Sequence, residues 1–441
     1  MDNQRALDVQ EFLDQQPFSA YQWLVFALCF AVVLLDGFDT AAIGYIAPSL
    51  MAEWGLSKPQ LAPVLSAALF GLTCGALTAG PLADRFGRKR PLAASVLLFA
   101  VASLIAAQAQ SLEQLTIFRF ITGIGLGAAM PNAVTLMSEY SPRARRAMLT
   151  NAMFCGFPLG AALGGFLAAW MIPHWGWRSI LLAGGIVPLV LAVALLASLP
   201  ESVRFMVARA WPAEQIRHVL SRIGSIASFQ SFYLAESRGA EDRQGGVSVI
   251  FSRRYAFGTV MLWLTYFMGL VIFYALVNWM PILFKEAGLA PKNATMIAAL
   301  FPLGGVGAVA FGWLMDRYNP DKVIAIGFAL TAVAIFAIGQ VAGELSVLVV
   351  VVLVAGTLMN TSQSSLPALA AQYYPTSARA TGVAWMLGAG RVGGIAGSFF
   401  VAQLAAMQLG FSVILAVLAI PGLLAAAALI AKQNFTSKGK Q

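Results

Sequence analysis

Charge is scarce in this sequence. Asp, Glu, Lys and Arg together make up 11% of its 441 residues, against roughly 25% in an average soluble domain. Hydrophobic residues account for 59%. This composition excludes a soluble globular enzyme and indicates a protein that crosses a membrane many times.

Cysteine and histidine are also rare. Cys29, Cys74 and Cys155 lie in apolar runs without the spacing of a metal site, so we expect neither a disulfide nor zinc. His174 and His218 both fall outside the apolar runs, which leaves no histidine to carry protons within the membrane. No nucleophile–base arrangement or phosphate-binding loop is present, so we expect no enzymatic activity and no cofactor.

Apolar runs of about 20 residues, the length needed to cross a bilayer, recur along the chain. They predict an all-α fold with twelve transmembrane spans, at residues 22–45, 60–82, 91–109, 114–138, 149–171, 178–199, 256–284, 293–315, 322–341, 344–368, 378–401 and 409–431.

The polar stretches between these runs predict the domain organisation. Residues 1–21 mix acids with isolated apolar residues, which is unlike a signal peptide. The long polar segment 200–254 is interpreted as a linker containing short helices. It separates two six-helix bundles, residues 22–199 and 255–431, and residues 432–441 form a tail.

The distribution of basic residues predicts the orientation. Of the 28 Lys and Arg, two (Arg119 and Arg391) lie deep inside spans, and four lie in one set of loops or at the span ends beside them. The other 22 lie on the opposite side. We therefore expect a multi-pass inner-membrane protein with both termini in the cytoplasm. The net charge of +9 reflects topology and contact with anionic lipid, and gives no indication of nucleic-acid binding.

The two halves repeat each other. "GPLADRFGRKR" (80–90) follows the second span and "GWLMDRYNPDK" (312–322) follows the eighth, 232 positions later. "YSPRARRA" (140–147) and "YYPTSARA" (373–380) are 233 positions apart. Two matches at nearly one offset indicate duplication, and transporters built from such repeats bind their ligand between them, near the midplane.

Several motifs carry a resemblance to a known family. Residues 80–90 resemble the signature loop of the major facilitator superfamily, and 119–132, 156–165 and 199–207 resemble its helices four, five and six. "LLDGFDTAAIGYIAP" (34–48) is similar to helix one of the aromatic acid:proton symporters. "LDVQEFLDQQP" (7–17) and "LWLTYFMGLVIFY" (262–274) are similar to the 4-hydroxybenzoate/protocatechuate transporters. The resemblance covers essentially the whole chain.

Two acids stand out inside the first span. Asp36 lies roughly 21 Å along it, and Asp39 lies one turn further on the same face. Arg119, on the antiparallel fourth span, reaches a similar depth. Asp36 and Arg119 could form a static ion pair. However, two acids beside one arginine leave a carboxylate without a full partner, so we favour Asp36 and Asp39 as proton carriers.

The intramembrane arginines predict an anionic cargo. An arginine binds a carboxylate through two hydrogen bonds and stays charged in any environment. Arg391 lies near the midplane in "GAGRVGGIAG", which we expect to supply small residues and open space. We favour it as the anion-binding group, against a role in helix packing. Arg119 either shares this role or poises the two acids, and the family resemblance implies importance for all four residues.

An aromatic cargo also needs flat apolar walls and hydroxyl partners. The candidates lie on spans that line the cavity in the major facilitator superfamily, which this sequence resembles. Each of them either contacts substrate or packs against other helices or lipid. The aromatic candidates are Phe38, Tyr266, Phe267, Tyr274 and Trp385. Hydrogen bonds to a ring hydroxyl are possible for Asn132, Gln363, Asn278 and Asn360, and contacts between helices are an equal alternative.

A second group of residues lies in the cytoplasmic motifs and is expected to act in gating. The resemblance implies that Asp84 docks at the start of helix eleven, near residues 377–379, while Gly80 allows close helix approach. Asp316 and Arg317 belong to the divergent second copy and form a weaker latch in this interpretation. The remaining gating candidates are Arg85, Arg88, Glu139 and Arg146. Arg85, Arg88 and Lys89 are expected to contact Glu139 or Asp316.

Together these features predict a proton-coupled symporter that imports a small aromatic carboxylate, such as 4-hydroxybenzoate or protocatechuate, by alternating access. The coupling ion is the proton, and the protein is expected to be a monomer in the lipid bilayer. Two alternatives stay open: a transporter of another organic anion, such as a dicarboxylate or a sugar acid, and a membrane receptor for aromatic acids that does not transport.

Overall fold

The computed structural model describes residues 6–226, 231–234, 246–307, 314–315, 317–341, 343–374 and 376–438. Within them, the chain is almost entirely helical. The helices, numbered in chain order, are α1 (Val9–Gln15), α2 (Ala20–Trp54), α3 (Lys58–Phe86), α4 (Lys89–Ala106), α5 (Leu112–Tyr140), α6 (Arg146–Phe154), α7 (Gly156–Trp175), α8 (Arg178–Ser198), α9 (Val203–Ala208), α10 (Ala213–Leu220), α11 (Gly246–Ile250), α12 (Ala256–Glu286), α13 (Pro291–Leu303), α14 (Pro320–Ile338), α15 (Leu345–Tyr373), α16 (Thr376–Ala406) and α17 (Phe411–Lys438).

The all-α, multi-pass membrane fold predicted from the sequence is confirmed. Ten helices in the described part of the chain are long and apolar enough to cross a membrane. The predicted span 293–315 begins as α13 and continues as a 3₁₀ turn, Gly304–Gly307, before leaving the described residues. The predicted span 378–401 lies within α16. The predicted span 149–171 is divided between α6 and α7, which meet at Cys155.

The chain divides into two compact units. Unit 1 comprises residues 1–37, 71–157 and 182–242, and unit 2 comprises residues 38–70, 158–181 and 243–441. The boundary passes through α2, α3, α7 and α8, so each of these helices contributes to both units.

Unit 1 contains a small folded module outside its membrane helices. Strand β1 (Ala6–Asp8) pairs in parallel with strand β2 (Ser231–Tyr233). Helix α1 is capped by Asp8, which accepts a hydrogen bond from the Gln10 backbone. It buries Val9, Phe12 and Leu13 in the same core as α9 and α10. One of the short helices expected in the linker is observed as α10.

Unit 2 is built around α12, which packs against α16 and α17. The glycines of α16 explain this close approach. A Cβ atom on Gly393 would lie 2.3 Å from the Phe267 backbone oxygen, and one on Gly397 would lie 2.4 Å from the Val271 backbone oxygen. On α14 and α17, Asp321 accepts a 2.6 Å hydrogen bond from the Lys432 ammonium group, which is only 3% exposed.

Candidate functional site

The acids of the first span are buried, as their position in an apolar helix requires. Asp36 is 2% exposed, Asp39 1% and Arg119 0%. Each of the three has a polar or electrostatic partner, which fits the cost of an isolated charge at this depth. The neighbouring Gly37 leaves no room for a side chain, because its Cβ would lie 1.9 Å from the Phe157 carbonyl oxygen.

Arg119 is held in unit 1 by close packing between α3 and α5. A Cβ atom on Gly71 would lie 2.0 Å from the Phe120 backbone oxygen, and one on Gly75 would lie 2.0 Å from that of Ile124. From the α5 side, Gly127 approaches the Leu72 backbone equally closely. Glycine at these three positions lets the two backbones touch, which fixes the position of the α5 backbone that carries Arg119.

In unit 2, Tyr266, Gln363 and Arg391 come together from three helices. The Gln363 amide nitrogen donates a 3.3 Å hydrogen bond to the Tyr266 backbone oxygen. Both Gln363 and Arg391 also lie close enough to act electrostatically on the Tyr266 phenol. The Tyr266 ring packs directly on the α16 backbone, because a Cβ on Gly390 would lie 2.0 Å from its Cδ1 atom. We call Tyr266, Gln363 and Arg391 the arginine cluster.

The expectation of open space around Arg391 is wrong for most of its glycines. Gly390 and Gly394 are covered by the rings of Tyr266 and Tyr274, so they serve close packing of α12 on α16. Only at Gly388, among the described glycines of this stretch, would an added Cβ meet nothing within 4 Å. A run of glycines is compatible with either a cavity or a close contact between helices, and here most of these glycines form a close helix contact.

The four amide candidates are separated by their hydrogen bonds. Asn132 donates to the Ala128 carbonyl oxygen of its own helix, and Asn360 donates to the Phe301 and Gly356 carbonyl oxygens. Asn278 donates to Ser398 Oγ at 2.9 Å. Among the described residues, the Gln363 side-chain oxygen finds no hydrogen-bond partner, and neither does that of Asn278. Of these four amides, Gln363 is the one that contacts Tyr266, and its side-chain oxygen lies against α12, where a Cβ on Gly269 would be 1.8 Å away.

The remaining aromatic candidates lie elsewhere in unit 2. Phe38 is 5% exposed and packs beside Gly164 of α7. Trp385 is 44% exposed and stacks on Trp263 at 5.9 Å, with Phe251 against its edge. The structure thus places Trp385 in a surface aromatic group of its own.

Unit 2 also contains contacts between the two sequence halves that the sequence did not reveal. A Cβ atom on Gly44 of α2 would lie 2.5 Å from the Val277 backbone oxygen of α12. Gly165 of α7 packs against Tyr45 and Ala299. Lys58, the first residue of α3, and Glu286, the last residue of α12, form a 2.6 Å salt bridge. We call the contacts of Gly44, Gly165, Lys58 and Glu286 the closure contacts.

The loop at residues 80–90 is fixed by an acid that the sequence analysis did not single out. The Glu201 carboxylate accepts hydrogen bonds from the backbone nitrogens of Arg88 (2.7 Å), Lys89 (3.3 Å) and Ser202 (2.8 Å), and so caps α4. Gly87 is required there: its φ is +90°, and a Cβ would lie 2.2 Å from Glu201 Oε2. Glu201 belongs to the motif "LPESVRFMV" (199–207), so the sequence did contain a residue that could have been proposed as this cap.

The gating candidates are only partly described. Arg88 Nε lies 3.4 Å from Glu139 Oε1, which is one of the two expected contacts. Arg85 lies over the Phe86 ring, and Arg146 donates to Gln10 at 2.8 Å. Arg317 is exposed. Asp316 lies outside the described residues, and so do the surroundings of Gly80 and the side chain of Asp84, so these three predictions stay untested.

Comparison with known proteins decides the family. The sequence profile of the Major Facilitator Superfamily matches residues 29–311 and 294–440. The chain belongs to the major facilitator superfamily. The resemblance seen in residues 80–90, 119–132 and 156–165 is thereby confirmed.

Within this superfamily, the chain is similar to transporters of aromatic acids. It is 51% identical over 431 residues to the 4-hydroxybenzoate transporter PcaK of Pseudomonas putida, with 97% of this chain and 96% of that protein covered. It is 48% identical over 427 residues to the gallate transporter of Pseudomonas putida, with 96% and 95% covered. These relatives are transporters and not enzymes.

A solved structure supports the superfamily fold. The crystal structure of a D-xylose–proton symporter matches with a TM-score of 0.71 at 19% identity, covering 93% of this chain and 97% of that chain. At this level of identity the likeness concerns the fold alone.

Proposed function

We propose that this member of the superfamily imports a hydroxylated benzoate anion together with a proton. The arginine cluster is the observation that carries the proposal. A guanidinium group can bind a carboxylate through two parallel hydrogen bonds. Arg391 lies near the Tyr266 phenol, and the Gln363 amide contacts the same tyrosine. The same cluster therefore offers a partner for each part of a hydroxybenzoate: charge, flat ring and hydroxyl.

The buried acids support proton coupling. Asp36 and Asp39 are 2% and 1% exposed, on neighbouring turns of one helix. Like charges one turn apart repel each other, which favours protonation of one carboxylate when access to water changes. Arg119 poises these acids or shares the anion with Arg391. A single proton per anion cancels the charge of the cargo and leaves the pH gradient as the driving force, so we propose a stoichiometry of one.

The closure contacts support alternating access. In this assignment they lie at the periplasmic ends of the helices, with both termini in the cytoplasm of the inner membrane, and they separate when the transporter opens outward. Lys285 adds to them by approaching the Pro48 carbonyl oxygen at 3.5 Å. Gly44 allows α2 to meet the α12 backbone directly, and Gly165 leaves room for the Tyr45 and Ala299 side chains, so closure excludes water from this end.

Uptake by the purified protein in proteoliposomes tests the proposal. Competition of unlabelled benzoate, 4-hydroxybenzoate, protocatechuate, vanillate and gallate against radiolabelled 4-hydroxybenzoate should rank the hydroxylated acids above benzoate, since Gln363 has an acceptor for the hydroxyl. Stronger competition by an aliphatic dicarboxylate than by any aromatic acid would contradict the proposed substrate class. Binding of these acids without any uptake would favour a receptor.

A further inference from the structure

A groove of about 620 Å³ lies on unit 1 where α8 ends and α9 and α10 follow. Its lining is apolar in the interior and basic at the rim. Met206 is buried, Trp211 is half-buried, and Arg90 and His218 are exposed. The groove is therefore amphipathic. The residues that matter for its chemistry are Lys89, Arg90, Leu196, Met206, Trp211 and His218.

The groove continues the lipid-facing surface of α8. Ile186, Val190, Val193 and Leu196 follow each other at helical spacing on one face, and they are 53, 65, 63 and 53% exposed. Since α8 is a membrane-spanning helix, acyl chains cover this face in a bilayer. Leu196 is both the last residue of the stripe and part of the groove wall, so an acyl chain on the stripe ends at the groove.

Two basic residues face this end of the stripe. Lys89 and Arg90 are the first two residues of α4, and neither makes an ion pair within the described part of the chain. The two carboxylates of the groove are already engaged. Glu201 accepts from three backbone nitrogens, and Glu214 pairs with Arg217. Counted together with Arg217, the cations Lys89 and Arg90 outnumber these two carboxylates, so the net charge around the groove is positive.

We propose that this groove binds an anionic phospholipid. The phosphate and head group lie against Lys89 and Arg90, one acyl chain follows the exposed face of α8, and Trp211 lies at the level of the membrane interface. Basic pockets at the ends of membrane helices are suited to anionic head groups, and tryptophan is enriched at this depth. The site is separate from the arginine cluster and does not depend on the proposed transport function.

Native mass spectrometry of the purified full chain, titrated with phosphatidylglycerol or phosphatidylcholine of equal chain length, measures the binding. We expect phosphatidylglycerol to bind more tightly than phosphatidylcholine. The double variant Lys89→Gln/Arg90→Gln should lose phosphatidylglycerol affinity by roughly ten- to thirtyfold, at about 1 kcal/mol for each basic residue near the surface. The single variant Arg90→Gln should lose part of the phosphatidylglycerol affinity. Because Arg90 is exposed, this variant perturbs the fold less than the double variant.

The matched control is Arg253→Gln/Arg254→Gln, which removes the same charge from an exposed pair outside the groove. It should bind phosphatidylglycerol like the parent protein. Equal binding of the two lipids, or an equal loss in the control variant, would overturn the proposal. Competition by glycerol phosphate at the same concentration as the lipid would also overturn it, since it would assign the groove to a soluble phosphate compound.

Discussion

Replacing Gly44 by alanine tests whether the closure contacts hold one end of the transporter shut. The added methyl group would lie 2.5 Å from the Val277 backbone oxygen and 2.9 Å from the Asn278 Cα atom. Both neighbours are backbone atoms of α12, so no change of rotamer relieves the clash. The substitution therefore opposes this conformation and leaves one with separated helices unaffected.

The size of the effect follows from the cost of overpacking. An extra methylene group in a tightly packed contact costs about 1–3 kcal/mol. A free-energy difference of this size between two conformations shifts their ratio by roughly 5- to 150-fold. The intrinsic preference of alanine for helix over glycine is the same in both conformations and cancels. We therefore expect Gly44→Ala to populate the conformation in which this end is open.

Double electron–electron resonance between spin labels on Ser57→Cys and Lys292→Cys measures the shift, in a background lacking the three native cysteines. Both positions are exposed in unit 2. Gly44→Ala should add a longer-distance population. Gly388→Ala is the matched control, because its Cβ would meet nothing within 4 Å. An unchanged distance distribution in Gly44→Ala, or an equal shift in the control, would refute the role of the contact.

Three further predictions concern single contacts. Arg391→Lys should weaken 4-hydroxybenzoate binding by about 10- to 150-fold in a direct binding assay, because a lost charge-assisted hydrogen bond costs about 1.5–3 kcal/mol; normal affinity would remove Arg391 from the site. Lys432→Met should lower thermal stability by up to about 3 kcal/mol by stranding Asp321, and Asp321→Leu in the same chain should restore most of it. Glu201→Ala should destabilise the protein by about 1–3 kcal/mol by uncapping α4, with Glu201→Gln in between; equal stability of all three proteins would contradict the capping role.

The membrane helices could be predicted from the sequence because length and hydrophobicity alone decide whether a segment spans a bilayer. Their ends were less certain. The first span was predicted to end at residue 45, whereas α2 continues to Trp54, since a helix does not stop where the hydrocarbon core does. The break at Cys155 also left no polar signal in the sequence.

The site was predictable where charge marked it. Asp36, Asp39, Arg119 and Arg391 stand out in apolar spans. The burial of the first three follows from the cost of exposing a charge to lipid, whereas Arg391 is half-buried. The glycines around Arg391 did not reveal their role, because glycine fits both a cavity and a close helix contact.

Contacts between distant segments left little trace in the sequence. Lys58 and Glu286 are ordinary loop charges until folding brings them to 2.6 Å. Strands β1 and β2 have three residues each and lie at opposite ends of the first half, so no local pattern predicts their pairing. Such contacts depend on the tertiary structure, and only coordinates reveal them.

Accumulation of radiolabelled 4-hydroxybenzoate by proteoliposomes tests the central claim most directly. With an inside-alkaline pH gradient and no membrane potential, the parent protein should accumulate the acid above equilibrium. Asp36→Asn and Asp39→Asn should each abolish accumulation while retaining exchange of internal for external substrate. At zero pH gradient, a valinomycin potential that is negative inside should drive no accumulation, as one proton per anion requires. Robust accumulation under that potential, or uphill uptake that survives in both aspartate variants, would contradict the account.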